Sequence, residues 1–313
     1  MPNSNSPTQL TKRCHWVPQA YLRAFAADTQ RRKIWRFSKD AGEPELKPID
    51  KVAVSFYLYV PRDPNTGVRD DSFEKKLSDL EQWFADPVWR ALQTDMLDLS
   101  WEPLRQMVSL LAATMMLRNP RHFEMYKQLH RRICDEIERL GEVPHSFLHK
   151  DQTYRVDSAS WPAYRDATED DLKRNWIKDM HGAAEYASQF MRMRWSMLCA
   201  EDPVFITSDA PVTFVHPSLR FRGIANPQTS VLFPISPTRL LCMDHLMHEP
   251  HNQYYPLQGS GAAQNLLLWR NSLEHMFSHR HTDEVCVAMA AEEDALMAAS
   301  ERVRSVSTPA SLE

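Results

Sequence analysis

The apolar side chains change their repeat partway along the chain, and this change limits the folds open to it. Leu77, Leu80, Phe84 and Val88 make one stripe at helical spacing, and Leu104, Met107, Leu111 and Met115 make another. From Arg192 to Cys199 the repeat falls to two: Met193, Trp195, Met197 and Cys199 alternate with other residues, as in a strand. Helices followed by strands argue for an α+β architecture and against βαβ. Glycine usage agrees. The chain has 7 glycines against 21 prolines and no GxGxxG or GxxxxGK turn, so neither a Rossmann nor a P-loop phosphate cradle is expected.

The pattern predicts a short amphipathic helix after Pro18 and a strand at Ile34 to Phe37. Val52 to Tyr59 reads as a strand or a packed loop. Asp71 or Ser72 caps a helix running to about Trp89. A second helix runs from about Pro103 to Arg118, and a third from Arg121 to Leu140, ended by Gly141. Residues 142–168 form a connector, and a fourth helix covers about 169–189. After the Glu201-Asp202-Pro203 turn, Val204 to Thr207 is expected to pair back on the 193–199 strand as a hairpin. Short strands follow at 212–215, 231–235 and 240–243, then a helix over 262–277. The stretch 284–303 fits either one helix or a strand plus a helix. The expected organisation is a disordered lead at 1–13, a single compact α+β domain at 14–303, and a polar tail at 304–313. The domain has a helical middle and an antiparallel sheet formed mainly by the C-terminal half.

Lys and Arg total 37 against 41 Asp and Glu, a formal charge of −4. That excludes a bulk-basic nucleic-acid binder but leaves room for a local basic groove. No apolar run approaches the ~18 residues of a membrane span, so no membrane partner is expected. The polar N-terminus lacks a signal peptide's apolar stretch. Cys14, Cys134, Cys199, Cys242 and Cys286 are scattered, odd in number and without a CxxC pair. They suit a reduced cytoplasmic protein better than a disulfide frame or a zinc site. Oligomeric state is not legible in the sequence.

Several motifs occur in register. His15-Trp16-Val17-Pro18-Gln19-Ala20-Tyr21-Leu22-Arg23-Ala24-Phe25 resembles the opening of domain-of-unknown-function family 4238. Phe56-Tyr57, the helical Glu74 and Glu81, Arg118-Asn119-Pro120 and Trp195 follow in that family's order. Phe205-Ile206-Thr207-Ser208-Asp209-Ala210-Pro211-Val212, Pro234-Ile235-Ser236-Pro237 and Asn265 complete the set. Trp16 replaces a commoner tyrosine. The resemblance implies a bacterial protein with an antiphage-defence or toxic-effector role, and supplies no reaction.

The residues themselves suggest chemistry. Glu74 and Glu81 are seven apart, on one helix face and about 10 Å from each other. Carboxylates beside an apolar stripe must be paired or used. They are either an acid–base or metal-ligand pair, or ion pairs to Arg118, Arg23 or Arg194. His15, ahead of a helix start, suits a neutral base or ligand, or else fixes the N-terminal segment. Gln19 shares its face and either orients substrate or holds a backbone carbonyl. Asp209 is a metal ligand, a base, or a turn-forming carboxylate before Pro211. Ser208 lies beside it as a substrate contact, outside any GxSxG elbow. Arg118, on a core stripe, should meet a carboxylate or a phosphate. Asn265 is placed to bond Asp209, substrate or a loop. The Asp244-His245 to His251 run lacks HExxH and argues weakly for metal. The basic run from Arg118 to Arg132 fits a phosphate surface less well than a solvated face.

The reading that joins these candidates is a hydrolase of nucleic acid or nucleotide. His15, Glu74, Glu81 and Asp209 would be catalytic, with Gln19, Arg118, Ser208 and Asn265 on substrate. A divalent metal such as Mg would sit on Glu81 and Asp209. The alternative is a non-enzymatic sensor or binding module for a phage or host component, in which the same residues are buried and fully paired.

Overall fold

The computed structural model describes residues 10–40, 42–149, 152–155, 157–218 and 223–307. The expected lead at 1–13 and tail at 304–313 lie largely outside these residues. The first elements are β1 (Arg13–His15), α1 (Gln19–Leu22), β2 (Lys33–Ser38), β3 (Glu45–Pro48) and β4 (Val54–Phe56). A helical stretch follows: α2 (Ser72–Glu81), α3 (Pro87–Leu92), α4 (Glu102–Leu117) and α5 (Pro120–Leu140). Next come β5 (Ser146–His149), β6 (Gln152–Arg155), α6 (Trp161–Arg165), α7 (Glu169–Met180) and α8 (Ala183–Arg192). The rest is β7 (Arg194–Cys199), β8 (Thr207–Ser208), β9 (Thr213–Val215), β10 (Ser230–Ser236), β11 (Arg239–Asp244), β12 (Gln253–Pro256), α9 (Ala262–Asn271), β13 (His275–Ser278) and α10 (Thr282–Ser307). The architecture is α+β, as the switch of period implies.

The chain divides into two compact units, each discontinuous in sequence. The helical unit takes Met1–Cys14, Ser55–Ser78 and Leu117–Gly182; the sheet unit takes His15–Val54, Asp79–Met116 and Ala183–Glu313. In the helical unit α5 packs on α7. Trp176 of α7 stacks on Phe123 of α5 at 5.1 Å and touches Tyr59 at 5.4 Å. Asn119 caps α5 by accepting from Arg121 N–H at 2.9 Å, and Gly141 ends it with φ 77°.

The sheet unit holds two sheets. The larger runs β12-β7-β11-β10-β9, antiparallel except for the β12–β7 edge; the smaller runs β3-β2-β13-β8 and is antiparallel throughout. A core of Phe205, Ile206, Leu240, Leu266, Leu268, Met276, Val285 and Met289 lies under α9 and α10. Tyr21, Phe25, Phe84, Trp89 and Phe233 form a second, aromatic cluster. The Tyr21 hydroxyl donates to the Pro234 carbonyl and lies 2.8 Å from the Thr207 hydroxyl.

Five expectations change. The helix predicted to run to Trp89 breaks after Glu81, and Asp86-Pro87 opens a new one, with Asp86 accepting from Val88 N–H at 2.7 Å. The predicted 169–189 helix is two, α7 and α8, parted at Gly182. The 142–168 connector contains the β5–β6 hairpin and α6. Val204 to Thr207 does not pair on β7: both N–H groups of Val204 and Phe205 go to the Pro237 carbonyl at 2.8 Å, and β8 pairs with β13. That pairing also ends the predicted 262–277 helix early, because Met276 and Phe277 are needed as strand residues. The 284–303 stretch is one helix, part of α10.

Candidate functional site

The sheet unit holds His15, Gln19, Glu81, Ser208, Asp209 and Asn265; the helical unit holds Glu74 and Arg118. Pro18 precedes α1 with φ −58° and ψ 134°, which turns the chain into the helix and sets His15 against its first turn. The His15 ring is half-buried. Its Nε2 lies 3.4 Å from the Asp50 carbonyl and its Nδ1 3.5 Å from the Gln19 amide nitrogen. A neutral ring fits both: Nε2–H toward a carbonyl, and an acceptor Nδ1 facing an N–H donor. The Trp16 indole donates to the Asp209 carbonyl at 2.9 Å, which brings the N-terminal motif to the Thr-Ser-Asp motif.

Asp209 leaves β8 with 1 % exposure. Oδ1 accepts from Leu273 N–H at 2.8 Å, and Oδ2 from Glu274 and His275 N–H at 2.8 and 2.9 Å. The His275 Nδ1 lies 3.5 Å away, and the Asp209 N–H donates to the His275 carbonyl. The carboxylate thus fastens the strand end to the loop entering β13. The Ser208 hydroxyl accepts from Ala210 N–H at 3.1 Å. Asn265 does not reach Asp209 through these bonds. Its Oδ1 accepts from Ile206 N–H at 3.1 Å and its Nδ2 donates to the Val204 carbonyl at 2.9 Å, so one amide supplies the pairing that a strand neighbour would give to residues 204–206. Glu81 is the last residue of α2 and is half-buried.

In the helical unit Glu74 and Arg118 are buried at 8 % and 1 % exposure. Burial and the adjoining Glu74 carboxylate push the Cys14 thiol up to about 11, so it stays protonated. The Tyr59 hydroxyl donates to the Arg118 carbonyl. Arg194, expected as a partner of the glutamates, instead holds Asp244 in a bidentate pair at 2.9 and 2.6 Å. Burial works against the Asp244 charge, but the Arg194 bonds and Leu246 N–H hold its carboxyl below the usual range. Among the histidines of the 244–251 run, His245 faces the Ile224 carbonyl at 2.7 Å and His251 the Met247 carbonyl at 3.2 Å. Among the described residues no group of three or more His, Cys, Asp or Glu side chains is placed to hold a metal ion.

Sequence reasoning passed over three contributors. Trp16 ties the N-terminal motif to Asp209 through its indole, a role that its place in the motif does not reveal. The Thr207 hydroxyl, fully buried, meets Tyr21. Arg105 lies over the Trp195 ring at 4.3 Å and donates to the Met191 and Met193 carbonyls and to Asn252. Its offset from the Leu104 stripe was the available signal.

Fold and site together define an α+β protein in which Asp209 and Asn265 knit backbone from distant stretches of the chain. The chain belongs to the family described as "Protein of unknown function (DUF4238)", whose profile matches residues 13–292. No curated protein and no solved structure matches it. Among the described residues no helix is long and apolar enough to cross a membrane.

Proposed function

We propose that this chain is a non-enzymatic recognition module that works in the cytoplasm of a bacterium and senses a phage or host component. The observation that carries this reading is the Asp209 carboxylate, whose two oxygens take three consecutive backbone N–H bonds at 1 % exposure. Ser208 and Asn265 likewise spend their polar atoms on backbone. Motif residues used this way hold a surface in shape for a partner; a catalytic carboxylate needs an oxygen turned toward substrate. All five cysteines are free thiols, which supports a reducing compartment. The defence role follows the family resemblance.

A second reading, hydrolysis of nucleic acid or nucleotide, draws on the half-buried His15 with Gln19 beside it and on Glu81 in the same unit. His15 would take a proton from water and Glu81 would give one to the leaving group.

The test is growth of a bacterial host expressing wild type, His15→Ala, Glu81→Ala or Asp209→Asn, with and without phage, beside melting curves of each purified chain. Recognition expects His15→Ala and Glu81→Ala to act like wild type, and Asp209→Asn to fail in step with its lost stability. Folded His15→Ala and Glu81→Ala chains that lose all protection would move the assignment to hydrolysis. A wild type that neither protects nor slows growth removes the defence role.

A further inference from the structure

One face of α7 borders a cleft of about 420 Å³ in the helical unit, and none of the motif residues above lines it. Asp171, Asn175 and Lys178 follow at helical spacing along that face, and Tyr164 of α6 and Pro64 supply the facing walls. The volume suits one small ligand of roughly nucleotide size. Leu172, at 8 % exposure, and two alanines give the lining an apolar part.

The walls are fixed in place. Thr168 and Asp171 form a reciprocal capping box at the start of α7. Arg174 binds Asp171 and also donates to the Arg62 carbonyl, which fastens the 61–67 loop beside the cleft. The Tyr164 carbonyl receives His130 Nε2 at 2.7 Å, and its ring packs against the His130 ring at 4.7 Å and the Trp161 ring at 5.8 Å. The aromatic wall is therefore set before any ligand arrives, which lowers the ordering cost of binding.

The charges select the ligand. Asp171 and Arg174 neutralise one another, so Lys178 supplies the net charge of the lining. Lys178 is exposed and lines the cleft. A cationic rim, a planar aromatic wall and an apolar lining suit a molecule with a flat ring at one end and an anionic group at the other. We propose that this cleft binds a nucleoside monophosphate, its base against Tyr164 and Leu172 and its phosphate on Lys178. The site shares no residue with the Asp209 cluster and does not rest on the reading given for it.

Calorimetric titration of the full chain tests the site. The probes are adenosine 5′-monophosphate, adenosine, inorganic phosphate and a short single-stranded oligonucleotide. The variants are Lys178→Glu and Ala163→Trp, both at exposed positions, with melting curves to confirm folding. The expected result is saturable binding of the monophosphate, weakened about tenfold or more by Lys178→Glu and abolished by Ala163→Trp, with adenosine and phosphate each weaker. Preference for the oligonucleotide over the monophosphate would reassign the source to a strand and overturn the free-nucleotide assignment. Equal binding by both folded variants, equal affinity for adenosine, or no saturable heat would overturn the site itself.

Discussion

A buried carboxylate that accepts three N–H bonds cannot be replaced by an amide of the same shape without loss. Asparagine at 209 keeps one acceptor oxygen and, whichever way the amide turns, puts an NH₂ where at least one N–H donor already points. Bonds to charged groups contribute about 1.5–3 kcal/mol each, and unsatisfied donors cost more. Asp209→Asn should therefore lower stability by about 3 kcal/mol or more, read as a shift of the urea midpoint at unchanged m. His279 makes the complementary case for pH. Burial first, then the neighbouring Arg280, push its ring down to about 4, against a carbonyl contact with Pro203 and the Glu284 charge that favour protonation. The folded state then binds fewer protons than the unfolded one between about 6.5 and 4. Stability should fall as pH drops through that window, and His279→Gln should flatten the fall in a urea series from pH 7 to pH 4. Neither residue's task was fully legible in the sequence. Asp209 stood out by its motif, but its partners lie more than sixty residues away and belong to backbone, which carries no sequence signal. His279 sits in no motif at all.

At the scale of elements, the sequence marks where helices stop better than what strands pair with. Gly141 and Pro120 were legible because each acts within a turn of its own position. The Thr207–Ser208 strand was misassigned because its partner, β13, looked like the end of a helix by spacing, and pairing is decided by residues far apart. Helix α9 depends on a local feature that the pattern hides. Gly261 precedes it at φ 73°, and a Cβ there would meet Val204 Cγ2 at 3.0 Å and Leu257 Cδ2 at 3.3 Å. Only glycine holds that backbone without strain. Val204 is also the residue whose carbonyl receives Asn265, so the turn and the amide clamp share one neighbour. Gly261→Ala should cost about 1–2 kcal/mol by the backbone conformation alone. Asn265→Leu should cost at least as much, since it strips an acceptor from the buried Ile206 N–H and a donor from the half-buried Val204 carbonyl. A double-mutant cycle measured by chemical unfolding should give less than the sum, because both changes loosen the same stretch.

At the scale of the molecule, the formal charge of −4 conceals an uneven division. The helical unit carries 18 Lys and Arg against 16 Asp and Glu, a balance of +2, which leaves −6 for the sheet unit. An anionic ligand is therefore drawn to the helical unit, and the proposed cleft lies there. The excess is too small for a broad polyanion surface, and several of the cations are already paired: Lys127 with Glu124, Lys173 with Glu169 and Arg174 with Asp171. This separates one phosphate contact from many. A protein holding six to ten phosphates loses roughly a thousandfold or more in affinity between 50 and 200 mM salt. A site holding one phosphate through Lys178 should lose at most about threefold over the same range. Titrations of adenosine 5′-monophosphate at the two salt concentrations check this directly. A loss beyond about tenfold would mean that at least one further cation engages the ligand, and the surface of α5 around Arg121, Arg131 and Arg132 would then have to be brought into the site.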